Sequence, residues 1–163
     1  MIFTTKKGEH YSDKKLYKFF HILCRTKQLS YKIIFDESAK YIDLTVDKFD
    51  VNKLFGISIG TDHHIDSARF GWNYLDGKIC IYSYCYVDGV RSMSLLTMIS
   101  PHKEYVYTIT NNPTNYLFTI TGADISLVQG VVAKTKNSWL RRKLWPYFGG
   151  NKTSPQDITI DFN

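Results

Sequence analysis

The chain has 163 residues, enough for one domain with a single sizeable core, and its 44% hydrophobic and 22% charged content excludes an intrinsically disordered chain. A net charge of +6 favours anionic partners, but the Lys and Arg residues are spread thinly. There is no polybasic block of the kind that wraps nucleic acid, so a small anion is expected as partner and a long nucleic acid is not.

Aromatic residues make up 15% of the chain, and alanine occurs only at positions 39, 68, 123 and 133. Both facts favour strands over helices. The N-terminal MIFTTKKGEH lacks the apolar core of a signal peptide, and no apolar run is long enough to span a membrane. Cys24, Cys80 and Cys85 have no CxxC spacing and no scaffold density. A reduced, cytoplasmic protein without a membrane partner is the expectation. Neither a metal nor a cofactor is expected.

Along the chain, Tyr11 to Leu23 is ambiguous. Leu16, Phe19, Phe20 and Leu23 fall at helical spacing, whereas Tyr17, Phe19, His21 and Leu23 alternate as in a strand. From residue 29 onward, period-two alternation dominates. Strands are predicted over 29–36, 53–59, 68–74, 78–87, 94–99, 104–110, 115–121, 125–132 and 157–162. In the third of these, Ala68, Phe70, Trp72 and Tyr74 share one face and Arg69 takes the other. Asp76-Gly77 and Asp88-Gly89 are hairpin turns. Asn137 to Tyr147 reads as a short helical turn or a loop. Many short strands at roughly ten-residue spacing imply a single all-β domain over residues 1–163, an antiparallel β-sandwich of jelly-roll type with at most one short helix.

The densest group of reactive side chains is GTDHHIDSARFGW, Gly60 to Trp72. As a metal site it is poor, because His63 and His64 are adjacent and no convergent third ligand accompanies them. As a catalytic site it offers either histidine as a general base near neutral pH. As an anion rim it is better: Ser67 and Arg69 share the face opposite Phe70 and Trp72, where a guanidinium can present a bidentate fork. The plainer alternative pairs Arg69 with a carboxylate such as Glu104.

Tyr82, Tyr84 and Tyr86 alternate along one strand face and form a candidate stacking platform for a base or a sugar ring. The plainer role for each is half-buried packing. In LWPYFGGNKTSPQDITIDF, Gly149 and Gly150 either expose N–H groups to an anion or simply relieve strain at a sandwich corner. The basic stretch that includes Arg141 is either a solvated loop or the mouth of the same pocket.

The stretches VNKLFGISIGTDHHIDSARFGW, GKICIYSYCYVDGVR and LWPYFGGNKTSPQDITIDF resemble a family of small, mostly uncharacterised proteins of bacteriophages and of bacteria, particularly Bacteroidetes. The resemblance covers most of residues 28–163. Where that family often carries a histidine before the last aspartate, this chain has Gln156, which counts against a catalytic dyad there. The closing segment also looks like the concanavalin-like jelly roll of lectins and polysaccharide lyases, an analogy of fold.

For a phage-type protein, the resemblance implies a counter-defence role in host cytoplasm, sequestering a nucleotide-derived immune signal of the cyclic oligonucleotide or ADP-ribose type. The expected ligand contacts are His63, His64, Ser67, Arg69, Tyr82, Tyr84, Tyr86, Arg141, Gly149 and Gly150. A phosphodiesterase acting on such a signal, or a carbohydrate-binding or lyase-like jelly roll, stands as the alternative. Oligomeric state is left open, a homo-oligomer being compatible.

Overall fold

The computed structural model describes residues 1–14, 26–41, 49–138 and 140–163. Among these residues, eleven strands form two antiparallel sheets. In chain order they are β1 (Ile2–Thr5), β2 (Gln28–Phe35), β3 (Asn52–Ile59), β4 (Ser67–Leu75), β5 (Lys78–Val87), β6 (Val90–Ile99), β7 (Glu104–Asn111), β8 (Asn115–Gly122), β9 (Ile125–Ala133), β10 (Arg141–Leu144) and β11 (Ile158–Phe162). One sheet runs β1-β11-β2-β7-β8-β9 and the other β10-β3-β4-β5-β6. The fold is the β-sandwich that the alternation implies.

The strands follow their side chains. In β4, Ala68, Phe70 and Trp72 are buried between the sheets, as alternation requires. Phe70 of one sheet packs edge-on against Tyr107 at 5.2 Å and Phe118 at 5.1 Å of the other. Trp72 meets Phe35 in the same way at 5.1 Å. Edge-to-face contact places the positive ring edge on the negative ring face, so these rings lock the sheets in register as well as burying area. At the hairpins, Asp76 and Gly77 have φ of 50° and 78°, and Asp88 and Gly89 have 50° and 79°. Positive φ at both central residues marks the type I′ turn, whose twist matches its flanking strands.

One expectation changes in part, one strand was not foreseen, and one reading falls mostly outside the described residues. β1 was not legible, because four residues with one apolar alternation carry little periodicity. Within the stretch 137–147, read as a helical turn or a loop, residues 141–144 form the strand β10, which pairs with β3 (Arg141 opposite Ile59, Leu144 opposite Gly56), while the described residues on either side lie outside the named strands. The RRKL sequence of β10 hides the alternation, because Arg141 points inward and donates to the carbonyls of Thr26 and Ser138. The ambiguity over Tyr11–Leu23 falls mostly on residues outside those described. A 3-10 turn spans Glu37–Ala39, capped by the Asp36 carboxylate accepting from Ser38 N at 2.8 Å. No helix among the described residues is long and apolar enough to cross a membrane, a statement about helices alone.

One irregularity positions the site. Between Lys53 and Gly56, β3 carries one more residue than the facing stretch of β4, where Lys53 stands opposite Gly71 and Gly56 opposite Arg69. Such a bulge lets two consecutive side chains turn the same way. Leu54 and Phe55 are both fully buried, and Lys53 is left on the outer face beside Arg69. A side chain at Gly56 would place its Cβ 2.1 Å from the Ala68 carbonyl oxygen and 2.8 Å from Arg69 Cα. Because the obstructing atoms are backbone, Gly56→Ala is expected to lower unfolding stability by about 1–3 kcal/mol, read as an earlier urea midpoint.

Candidate functional site

The outer face of the five-stranded sheet holds a cavity of about 650 Å³. Its floor is β3 and β4, with β5 and β6 on one side and the segments 11–14, 49–51 and 145–151 on the other. The chain folds over its own sheet here through two isolated bridges to Tyr147, from Tyr11 and from Lys53.

Arg69 lies at the bottom with 8% of its surface exposed. Its Nη2 donates to the Trp145 carbonyl at 2.7 Å, and its buried Nε has no hydrogen-bond partner. Glu104, the carboxylate that sequence spacing offered it, is instead paired with Lys32 at 2.9 Å. No carboxylate among the described residues forms an ion pair with Arg69, and burial pushes its guanidinium from the ordinary 12.5 to about 10, against the pull of the tyrosines 84, 11 and 147. That depression corresponds to roughly 3 kcal/mol of discomfort for the charged form. An anion reaching the floor would relieve it.

Lys53 stands beside it. Its ammonium lies 4.9 Å from the Tyr84 ring centroid and 5.8 Å from that of Tyr147, and donates to Gly149 O at 3.0 Å. Burial first, and then the Arg69 charge, lower its pKa to about 8. Lys143 borders the cavity but shares the core side of β10 with Arg141; its ammonium sits over the rings of Trp145 at 3.8 Å and of Tyr31, in the other sheet, at 4.3 Å, and burial lowers its pKa to about 8. Asp50 also lines the cavity and partly offsets the lowering at Lys53, but it is the one acidic residue among the lining residues, against Lys14, Lys53, Arg69, Arg91 and Lys143.

Of the residues expected from sequence, His63, His64, Ser67, Arg69, Tyr84, Tyr86, Gly149 and Gly150 all line this cavity. The two histidine rings are 4.1 Å apart, and His64 meets Tyr86 edge-on at 5.2 Å. His63 has its pKa lowered by burial and by the neighbouring His64 and Arg69. Among the described residues, no cluster of three or more ligating side chains could hold a metal. Ser67 donates to the His63 carbonyl at 2.6 Å, so its hydroxyl braces the loop from beneath.

Two expected residues lie elsewhere. Tyr82 donates to Asn73 Oδ1 at 3.1 Å and does not reach the cavity, so the three-tyrosine platform is a pair, Tyr84 and Tyr86, with centroids 5.9 Å apart. Arg141 is turned to the core side of β10, with its guanidinium occupied by carbonyls and by Asn137. The Gly149 N–H is likewise taken, donating to Asn52 Oδ1 at 2.6 Å, so it offers no anion nest. The glycine serves a φ of +74° at the corner, where a Cβ would lie 2.0 Å from the Lys152 carbonyl oxygen.

Sequence reasoning missed Lys53, Tyr11 and Arg91, all of them on the cavity wall, whereas Tyr147 lies in the C-terminal stretch it had singled out. Strict alternation in KLFGISI assigns Lys53 to the face of Phe55, and only the bulge reverses it. Tyr147 is placed by its bridge to Lys53, and Arg91 by hairpin register opposite Tyr86.

No family model and no curated protein matches the chain. Among solved structures, an alginate lyase from Klebsiella pneumoniae is similar, with a TM-score of 0.60 at 12% identity over 83% of this chain and 56% of that one. The likeness is one of fold: this chain is a jelly-roll β-sandwich that spans about half the length of that lyase.

Were an anion held in this cavity, the two depressed lysines would make its binding pH-dependent. Each carries its charge below about pH 8 and loses it above. Affinity for inorganic pyrophosphate, measured calorimetrically, is therefore expected to fall roughly tenfold between about pH 7 and about pH 9. Lys53→Met should remove more of that slope than Lys143→Met, because Lys53 lies beside Arg69 on the floor.

Proposed function

We propose that the protein binds a small anionic ligand in this cavity and holds it without consuming it, and that the ligand is nucleotide-derived, of the cyclic oligonucleotide or ADP-ribose type. The observation that carries the reading is Arg69, a buried guanidinium with an unpartnered Nε and no carboxylate, at the foot of an aromatic-walled cavity. Phosphate fits that demand, since it accepts from a guanidinium fork and returns charge to a desolvated site. Tyr84 and Tyr86 provide ring faces for a base, and His63 and His64 provide polar contacts at the rim. The cavity, about 650 Å³, has the size of sites that enclose a ligand of this class. Sequestration of an immune signal by a phage protein is the role this binding would serve.

A second reading is turnover. The similar fold belongs to a protein named as an alginate lyase, and His63 and Tyr84 stand in the same cavity as Arg69. An acid and a base beside a cation that stabilises developing negative charge would suit elimination from an anionic sugar or cleavage of a phosphodiester.

One experiment separates them. The protein is incubated with a panel of cyclic di- and trinucleotides, ADP-ribose derivatives and alginate oligosaccharides; the complex is isolated and denatured, and the released ligand is weighed by mass spectrometry. Intact nucleotide is expected, with affinity reduced about 10- to 100-fold in Arg69→Gln. Arg69→Lys should recover only part of it, because the fork is lost with the guanidinium. Cleaved ligand, with cleavage lost in His63→Ala or Tyr84→Phe while binding persists, would establish turnover instead. No binding across the nucleotide panel would sink the leading reading.

A further inference from the structure

One side chain on the cavity wall runs against the charge of the others. Asp50, just ahead of β3, is the single carboxylate among the lining residues. Other acidic side chains of this basic protein meet a cation, as Asp157 meets Lys6 and Asp124 meets Lys103. The Asp50 carboxylate makes no ion pair and no hydrogen bond among the described residues, although its charge acts on Lys53 through space. It is also half-buried, so part of its hydration is lost and its oxygens are left as open acceptors facing the cavity.

Gly150 keeps that place free. A Cβ there would lie 2.8 Å from Asp50 Oδ2 and 3.4 Å from Asp50 Cγ. Unlike Gly149, Gly150 does not have a positive φ, so its backbone makes no demand for glycine. What the missing side chain provides is room for the carboxylate. Gly150, expected from the sequence to touch the ligand, therefore serves the cavity through Asp50.

The strand order fixes how these groups follow one another across the floor. Tyr84 stands on β5, Arg69 opposite it on β4, and Lys53 on β3, which lies on the far side of β4 from β5. Asp50 leads into β3 and so continues the row beyond the cations. The row therefore reads rings, guanidinium with an open Nε, ammonium, carboxylate. A ligand with a base against Tyr84 and Tyr86 and phosphate over Arg69 and Lys53 has its far end at Asp50. That end must donate hydrogen bonds, and to serve both carboxylate oxygens it must donate two from neighbouring atoms. The vicinal diol of a sugar does so.

We propose that Asp50 is the specificity-determining residue of the cavity, selecting an anion that carries a free vicinal diol beyond its phosphates. The inference rests on the nucleotide reading and narrows it to the ADP-ribose type, whose order of base, diphosphate and open sugar matches the row. In a cyclic oligonucleotide one of the two neighbouring hydroxyls of each ribose is esterified, so no sugar offers the pair. A plain inorganic anion has no donor for Asp50 and meets it only as a like charge.

Calorimetric titration of the full-length protein with ADP-ribose, ADP, cyclic di-AMP and inorganic pyrophosphate tests the proposal. The wild type is expected to bind ADP-ribose about 10- to 100-fold more tightly than ADP, which lacks the second sugar. Asp50→Asn is expected to erase that preference and at the same time to tighten pyrophosphate by about threefold, because a negative charge leaves the wall. The opposite signs separate selection from damage, since a distorted cavity would weaken both ligands. Gly150→Ala, which crowds the carboxylate, should lose part of the same preference with Asp50 still present. An Asp50→Asn variant that still prefers ADP-ribose to ADP, or that binds every ligand more weakly, would overturn the inference. Tight binding of cyclic di-AMP with ADP-ribose ignored would overturn it and leave the nucleotide reading standing. Binding of pyrophosphate with no nucleotide bound would sink both.

Discussion

Phe70 and Trp72 are the side chains through which β4 holds the two sheets together, and their burial sends Arg69 to the opposite face. In a strand without a bulge, as β4 is here, successive side chains take opposite sides, so anchoring the core through positions 70 and 72 offers position 69 outward. Once outward, Arg69 is covered by the chain's own later segment, and Trp145 O accepts from it at 2.7 Å. Burying Phe70 alone contributes about 1.5–3 kcal/mol. That gain, multiplied over the aromatic layer, is what tolerates a guanidinium on the floor of a cavity.

The chain handles its charges in two different ways. On the periphery, lysines meet carboxylates in exposed pairs, such as Lys6 with Asp157 at 2.7 Å and Lys103 with Asp124 at 2.7 Å. Such pairs are worth little to stability and much to solubility. Buried cations are instead set against rings: Lys53 over Tyr84 and Tyr147, Lys143 over Trp145 and Tyr31, and Lys134 over Tyr116 at 4.9 Å. A ring face attracts a cation without cancelling its charge. The tyrosine-rich composition therefore lets the cavity wall carry more cations than carboxylates.

The same economy of charge shapes two free edges of the sheets. Strands β6 and β9 carry a single charged side chain, Arg91, and each edge is interrupted instead by a bulge, at Leu96 in β6 and between Ile125 and Val128 in β9. The edge strand β6 also forms one wall of the cavity, so the β5–β6 hairpin links edge and cavity.

What the sequence determined by itself was whatever depends on neighbours along the chain. Alternation in KICIYSYCYV and ARFGWNY located strands to within a residue or two and assigned Arg69 and Tyr84 to the face away from the core. The Asp-Gly pairs named both tight turns, because a positive φ at two successive positions restricts the residue types. Tertiary structure decided whatever depends on partners distant in sequence. The bulge in β3, which turns Lys53 outward, exists only against the register of β4. Arg141 turned inward because carbonyls from Thr26 and Ser138 were there to receive it, and Gly149 surrendered its N–H to Asn52. Tyr82 separated from Tyr84 and Tyr86 because the cavity is closed by segments 11–14 and 145–151, which cover one end of the strand and not the other. A strand's pattern tells which side a residue faces; what lies on that side is settled only when another part of the chain arrives there.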